Sequence, residues 1–428
     1  MTTAIAALTD AVERRRAADY PGALESARRA SNLVSCTGCD PALIVDVLTA
    51  LARAEEDMGH YDLANAAAGG AVEAAGADPG LRARALTRQV GALLADGRSP
   101  GALPLAAEAV ELTTRTAAER STDRVEALVA YALVCLDVGF FDQAAALLDQ
   151  ADGASSADSA ARARASMARI GLLRFEGRYD EAFAHLGEAH AAAVAAFGAC
   201  SLELATVLND LGVCCKVSGR FDEGEAAYQE SLAILEAVVG SVHPEVATLY
   251  HNLGGLAHAR RDFTAAEPWA RRSVEVRIAA LGPDHVLVAA DQVALAGVLL
   301  DLGRGQEAEQ LLRQALATCE RVHGPVHYEI GVILGTLGSA AQRRGALDAA
   351  ACLHQRALSV KTEILGDRHP ELAITLNNLG VVARRQGRND EAAQLYRNAI
   401  AILTGAVEDE HPTLLSARRN LARLQSLL

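Results

Sequence analysis

Five histidines constrain this chain more than any other feature. His243, His285, His327, His369 and His411 stand 42 residues apart. They open the segments HPEVATLYHNLG, HVLVAADQVALA, HYEIGVILGTLG, HPELAITLNNLG and HPTLLSARRNLA. A second landmark keeps the same period: GRYDEA from Gly177, GRFDEG from Gly219, RDFTAA from Arg261, GRGQEA from Gly303, GALDAA from Gly345 and GRNDEA from Gly387. Fainter copies precede these, as GFFDQA at Gly139, GRSPGA at Gly97, GHYDLA at Gly59 and ADYPGA at Ala18, in steps of 38 to 42 residues. A fixed period of this size describes one supersecondary unit stacked on copies of itself, each unit packing only on its neighbours. The phase predicts ten helix pairs followed by a last unpaired helix from Pro412.

Each unit reads as two helices. PEVATLYHNLGGLAHA places apolar or small residues at helical spacing, interrupted only by Gly254 and Gly255. The glycine of the G-R-x-D-E-A landmark is expected to end this first helix, because glycine tolerates the left-handed geometry of a helix end. The Asp or Thr that follows is expected to cap the second helix. That second helix, for example DEGEAAYQESLAILEAVV, is amphipathic and stops at Gly240. Pro244 then falls in a first helical turn, where proline is tolerated. The stretch ADGASSADSAA near residue 155 is small, polar and loop-like, which divides the chain into a less regular part, 1–155, and a regular part, 156–428.

Composition narrows the function classes. Apolar residues make up 51% but aromatics only 4%, so alanine, the best helix former, carries much of the core. The net charge of −14 argues against general affinity for nucleic acid or an anionic membrane surface, both of which reward a basic face. No apolar run reaches the roughly 18 residues that a membrane span needs, and MTTAIAALTDAVERRR puts charge into its only apolar stretch, unlike a secretory signal. A cytoplasmic location follows as the expectation. The eight cysteines are scattered. Cys36 and Cys39 form one C-x-x-C, without the second pair that a structural zinc site ordinarily takes, so reduced thiols are expected.

Leu211-Gly212, Leu253-Gly254, Leu337-Gly338 and Leu379-Gly380, with small-x3-aromatic steps such as Gly224/Tyr228 and Ala392/Tyr396, resemble tetratricopeptide repeats. The long unit, its G-x-x-H-P linker and the N-N-L-G from Asn377 to Gly380 are similar to the kinesin-light-chain subtype. The resemblance covers the chain best from about Gly177 onward. It implies an all-α, right-handed α-solenoid of about ten antiparallel helix pairs plus a C-terminal capping helix. It also implies that first helices line a concave, ligand-holding face, and it implies no reaction and no particular partner.

The linker histidines are read as a structural feature, since one per unit along a rod does not converge on an ion. His251 and His258, seven apart, sit about 10.5 Å apart along a helix axis, too far to share a metal; no metal and no cofactor are expected. Taking the Leu-Gly pair as phase, the residue three before the glycine and the residue four after it should face inward. The first track reads Asn209, His251, Val293, Gly335, Asn377. The second reads Arg174, Lys216, His258, Leu300, Gln342, Arg384, with Arg164 and Thr206 joining from the turn before. Asp46, Arg53 and Glu56 occupy the corresponding N-terminal track. Arg174, Asn209, Lys216, His251, His258, Gln342, Asn377 and Arg384 are therefore the candidate ligand contacts. Amides can bond a peptide backbone from both ends, and arginine and lysine suit carboxylates.

The expected function is a non-catalytic scaffold or adaptor that holds a protein or peptide, favouring acidic or carboxylate-bearing segments, with self-association open to the less regular half. The alternative is a sensor or unusual enzyme that holds a small anion or peptide substrate in the same groove. No phosphate loop, G-x-S-x-G or H-E-x-x-H accompanies the repeats. One Cys-His combination, Cys214 with His251, falls on adjacent units.

Overall fold

The structure is a computed structural model that describes residues 2–34, 39–115, 122–154, 159–176, 178–404 and 412–425. Twenty-one helices and no strand occur among the described residues. The first pairs are α1 (Thr2–Arg16) with α2 (Tyr20–Val34), α3 (Pro41–Asp57) with α4 (Tyr61–Ala75), α5 (Pro79–Ala95) with α6 (Ser99–Arg115), and α7 (Thr122–Val138) with α8 (Phe141–Gly153). Next come α9 (Ser159–Phe175) with α10 (Tyr179–Phe197), α11 (Leu202–Val217) with α12 (Phe221–Val239), and α13 (Pro244–Ala259) with α14 (Phe263–Leu281). The series ends with α15 (Val286–Asp301) and α16 (Gly305–His323), α17 (Tyr328–Arg343) and α18 (Leu347–Leu365), α19 (Leu372–Arg385) and α20 (Asn389–Leu403), and the unpaired α21 (Pro412–Gln425). The chain is an all-α repeat solenoid, ten pairs and a closing helix. None of the described helices is long and apolar enough to cross a membrane.

Two compact units emerge: residues 1–260 with 275–281, and residues 261–274 with 282–428. Residues 155–158, where the sequence loses its regularity, lie outside the described residues, as do Cys36, Gly177 and His411.

The Leu-Gly signature is explained by close packing inside a pair. A methyl group on Gly212 would stand 2.4 Å from the Tyr228 ring, and one on Gly380 2.5 Å from the Tyr396 ring. Glycine lets the aromatic side chain of the second helix lie flat on the first. In α17/α18 the same place opposite Gly338 is taken by His354, which is fully buried.

The recurring histidines cap helices. Nδ1 of His243 accepts from the backbone N–H of Glu245 at 3.2 Å, and His285, His327 and His369 do the same for Leu287, Glu329 and Glu371. One orphan donor per first helix is thereby satisfied, which accounts for the 42-residue period without a ligand. The turn glycine behaves as the sequence implies: Gly219 has φ +79°. Where the landmark has arginine instead, Arg261 adopts φ +63°, a conformation that a Cβ disfavours.

The expected Asp cap needs correction. The capping position of α12 is Arg220, with no side-chain cap bond, and Asp222 lies inside the first turn; α10, α16, α18 and α20 repeat the pattern with Arg178, Arg304, Ala346 and Arg388. The helix begins two residues early, at the residue after the arginine. The acidic side chain therefore acts on the helix dipole rather than on a named N–H. The arginine pairs with the glutamate three residues on, as in Arg178–Glu181 at 2.7 Å. In α2 and α14 an aspartate stands at that capping position instead of the arginine: Asp19 accepts from the N–H of Gly22 and Asp262 from the N–H of Ala265, both at 3.0 Å.

Candidate functional site

Unit 1 folds back on itself through its first two repeats. Tyr20 and Tyr61 are the landmark tyrosines of ADYPGA and GHYDLA, each opening a second helix and each buried. The Tyr20 hydroxyl accepts from the backbone N–H of Leu202 at 2.9 Å, at the first residue of α11. The Tyr61 hydroxyl donates to Glu245 at 3.3 Å, in the first turn of α13. Successive landmarks thus meet successive first helices, in register, 182 and 184 residues away.

Three further contacts fasten this closure. The Arg15 guanidinium bridges Asp57 of α3 and Glu203 of α11, the latter at 3.0 Å. His243 Nδ1 is occupied as a cap acceptor, so the neutral ring carries its proton on Nε2 and donates it to the Asp57 carbonyl at 3.2 Å. Burial pushes the His243 imidazole down to about 4, which keeps it neutral. Gly59 comes close enough that a Cβ there would meet Pro244 at 2.4 Å. Sequence reasoning missed this closure. The only local hint was the tyrosine shared by two weak landmark copies.

The closure forms an open-sided cavity of about 280 Å3 whose walls include Arg15, Arg53, Glu56, Asp57 and Tyr61 from the N-terminal helices. Arg164, Met167, Thr206, Asn209, Leu235, His243 and Thr248 face them from the later ones. Arg164, Thr206 and Asn209 were read from the sequence as inward-facing, and all three line this space. Arg53 and Glu56, from the corresponding N-terminal track, stand on its other wall.

The remaining candidates separate by unit. Arg174, Asn209, Lys216, His251 and His258 belong to unit 1, and Gln342, Asn377 and Arg384 to unit 2. Each of the unit 1 five is half-buried. Lys216 lies over α13, with Nζ 3.6 Å from where a Cβ of Gly255 would be. Its ammonium has no ion-pair or hydrogen-bond partner among the described residues, and burial together with the neighbouring Arg174 lowers its pKa. Arg174 stands 3.9 Å from Asp210, whose carboxyl burial pushes up to about 6. In unit 2, Gln342 is half-buried, Asn377 buried and Arg384 exposed. Leu300, assigned by phase to an apolar patch, is itself buried at 7% exposure.

The asparagines are partly committed to the fold. Oδ1 of Asn209 accepts from Asn252 at 2.7 Å, and Oδ1 of Asn377 from Asn420 at 3.0 Å. Each couples one repeat to the next, so what Asn209 or Asn377 can offer a ligand is its NH2 rather than both ends of the amide.

Two other clusters bear on chemistry. Donor atoms of His323, His327 and Glu329 lie within 4.8 Å of one another, and the two rings stack at 4.0 Å. Because His327 Nδ1 accepts from Glu329 N–H, the neutral ring is protonated on Nε2, so a metal at Nε2 would have to displace the cap. Cys214 is fully buried and its thiol is pushed up to about 11 by that burial, which is the opposite of an activated nucleophile.

Comparison with known proteins accords with this geometry. The Tetratricopeptide repeat family matches at residues 162–237, 203–279, 290–363, 353–405 and 371–428, together more than half of the chain. No curated protein matches. Among solved structures, the crystal structure of a Rap protein complexed with Competence and Sporulation Factor superposes with a TM-score of 0.54 at 12% identity, covering 82% of this chain and 99% of that one. BtubC (BKLC) from P. vanneervenii matches at 20% identity and a TM-score of 0.44, covering 57% of this chain and 90% of that one. A putative kinesin light chain with nearly identical TPR-like repeats from Podosopora anserina matches at 24% identity and a TM-score of 0.38, covering 43% and 87%. The register of helix pairs, the glycine-on-aromatic packing and the family match lead to one statement: the chain belongs to the tetratricopeptide repeat family.

Proposed function

We propose that this protein is a cytoplasmic, non-catalytic adaptor whose first-helix face holds an extended peptide or protein segment bearing carboxylates. The repeat is one that generally serves as a protein-binding scaffold. The Rap protein noted above was crystallised with Competence and Sporulation Factor, so a stack of this fold can hold such a partner. Arg174, Asn209, Lys216, His251 and His258 are the contacts proposed for unit 1, and Gln342, Asn377 and Arg384 those for unit 2. Neither nucleic acid nor membrane is part of this reading, and self-association of the N-terminal repeats is left to it as a secondary property.

The observation that carries the proposal is Lys216. A half-buried ammonium with no partner among the described residues, beside Arg174, is costly unless an anion arrives. A carboxylate placed beside Lys216 would restore the lysine's pKa and give its ammonium an acceptor.

Fluorescence anisotropy with a library of acidic peptides, each made with a free and an amidated C-terminus, tests it. Binding is expected to weaken about tenfold or more in Lys216→Glu, and to fall with added salt in the wild type. Equal affinity of wild type and Lys216→Glu for every peptide would remove the proposal.

A further inference from the structure

The cavity formed by the fold-back of unit 1 is lined by three guanidinium groups, Arg15, Arg53 and Arg164, and four carboxylates, Glu56, Asp57, Glu203 and Glu245, and the pairing among them is uneven. Its carboxylates are almost all committed. Asp57 and Glu203 take Arg15, Glu56 takes Arg88, and Glu245 accepts from the Tyr61 hydroxyl. Arg164 is held by Glu126 on α7. Of the three guanidinium groups in the wall, one is engaged by none of these carboxylates. Arg53, half-buried in α3 and part of the cavity wall, has neither a hydrogen bond nor an ion pair among the described residues.

Its surroundings make the surplus more pointed. Burial and the three neighbouring guanidinium groups of Arg15, Arg88 and Arg164 push the Arg53 pKa down to about 10, against the opposing effect of Asp57. An arginine carries five donors in a planar fork, and none of those of Arg53 is bonded among the described residues. The opposite wall supplies a neutral donor suited to a further oxygen of an anion, the NH2 of Asn209, whose carbonyl is already taken by Asn252; the Thr206 and Thr248 hydroxyls donate to the Leu202 and Pro244 carbonyls of their own helices.

We propose that this cavity is a binding site for a small oxyanion, a phosphate or carboxylate group on a compact molecule, with Arg53 as its principal cation. The volume of about 280 Å3 admits a compound of metabolite size and not a folded partner. Because Arg53 belongs to the N-terminal helices and Asn209 to α11, the anion would bridge the same two groups of helices that Tyr20, Tyr61 and Arg15 join. Occupancy would therefore tighten the closure of unit 1. The site is separate from the Lys216–Arg174 pair, and the inference does not depend on the peptide reading.

The test is isothermal titration of the full chain with inorganic phosphate and, separately, with succinate, which distinguishes the two oxyanion chemistries. Saturable binding of one or both at a single site is expected. Affinity should drop about tenfold to a hundredfold in Arg53→Gln, and Lys216→Glu should leave it unchanged. A second measurement needs no variant: arginine-selective labelling with phenylglyoxal, mapped by mass spectrometry, should modify Arg53 in the free protein and spare it when the bound anion is present. Absence of saturable binding by either probe overturns the proposal. So does undiminished binding in a folded Arg53→Gln, or labelling of Arg53 that phosphate and succinate do not alter.

Discussion

His354 offers a sharp test of how the repeats pack. It occupies the place that Tyr228 and Tyr396 fill in other units, flat on the glycine of the Leu-Gly pair. A Cβ on Gly338 would lie 2.7 Å from its ring. The side chain is 0% exposed, and neither ring nitrogen has a hydrogen-bond partner among the described residues. Burial pushes its pKa from 6.5 down to about 4. The folded state must therefore keep this ring neutral while the unfolded chain takes up a proton below pH 6.5. Stability from this site is complete above pH 6.5. It declines by up to about 1.4 kcal/mol per pH unit as the pH falls, and levels off near pH 4 once the folded ring also protonates. Across that window the loss is about 3 kcal/mol. His354→Phe keeps the ring, removes both unsatisfied nitrogens and deletes the titration. At pH 7 the variant should be more stable by about 2 kcal/mol, and its advantage should grow by about 3 kcal/mol on going to pH 4. Urea titrations followed by the fluorescence of the single tryptophan, Trp269, at several pH values provide the comparison. Parallel pH profiles for wild type and variant would refute the reasoning, because they would mean that His354 is hydrated or partnered in the folded state.

Two further outcomes follow from backbone and packing. Arg261→Gly, which restores the landmark glycine at a residue with φ +63°, should raise stability by about 1 kcal/mol, read as a higher urea midpoint. Gly212→Ala should lower stability by roughly 1–2 kcal/mol, because a buried Tyr228 ring 2.4 Å from the new methyl outweighs the helix-propensity gain, whereas Gly335→Ala, with open space around its Cβ, should be neutral or stabilising. The same sign for both alanine variants in circular-dichroism melts would contradict the account of the Leu-Gly pair.

The sequence disclosed what repeats and hid what does not. The helix pairs were legible because a left-handed glycine, a histidine cap and an apolar stripe recur at one spacing, and each is a local device. His243, His285, His327 and His369 were recognisable as linker residues, although the sequence did not show that Nδ1 serves as the helix cap. The Asp of G-R-x-D-E-A misled by two residues, because α10, α12, α16, α18 and α20 all start just after the arginine, or after Ala346 in α18, and place the acid within the first turn. Arg164, Thr206 and Asn209, read from the sequence as facing an inner groove, line the cavity of unit 1 in the structure. What no local pattern could reveal was the meeting of Tyr20 with Leu202 and Tyr61 with Glu245, since curvature accumulated over several repeats decides which distant helices touch. Nor could spacing show that Asn209 and Asn377 spend their carbonyls on the next repeat.

The claim on which the cavity depends is that the first two repeats of unit 1 close against α11 and α13. A double-mutant cycle on Arg15 and Glu203, joined at 3.0 Å across 188 residues with both side chains 19% exposed, measures that contact directly. Stabilities of wild type, Arg15→Met, Glu203→Gln and the double variant should give a coupling energy of about 1 kcal/mol or more. Additive effects, with coupling indistinguishable from zero, would mean that these helices do not meet in solution and that the cavity is not formed.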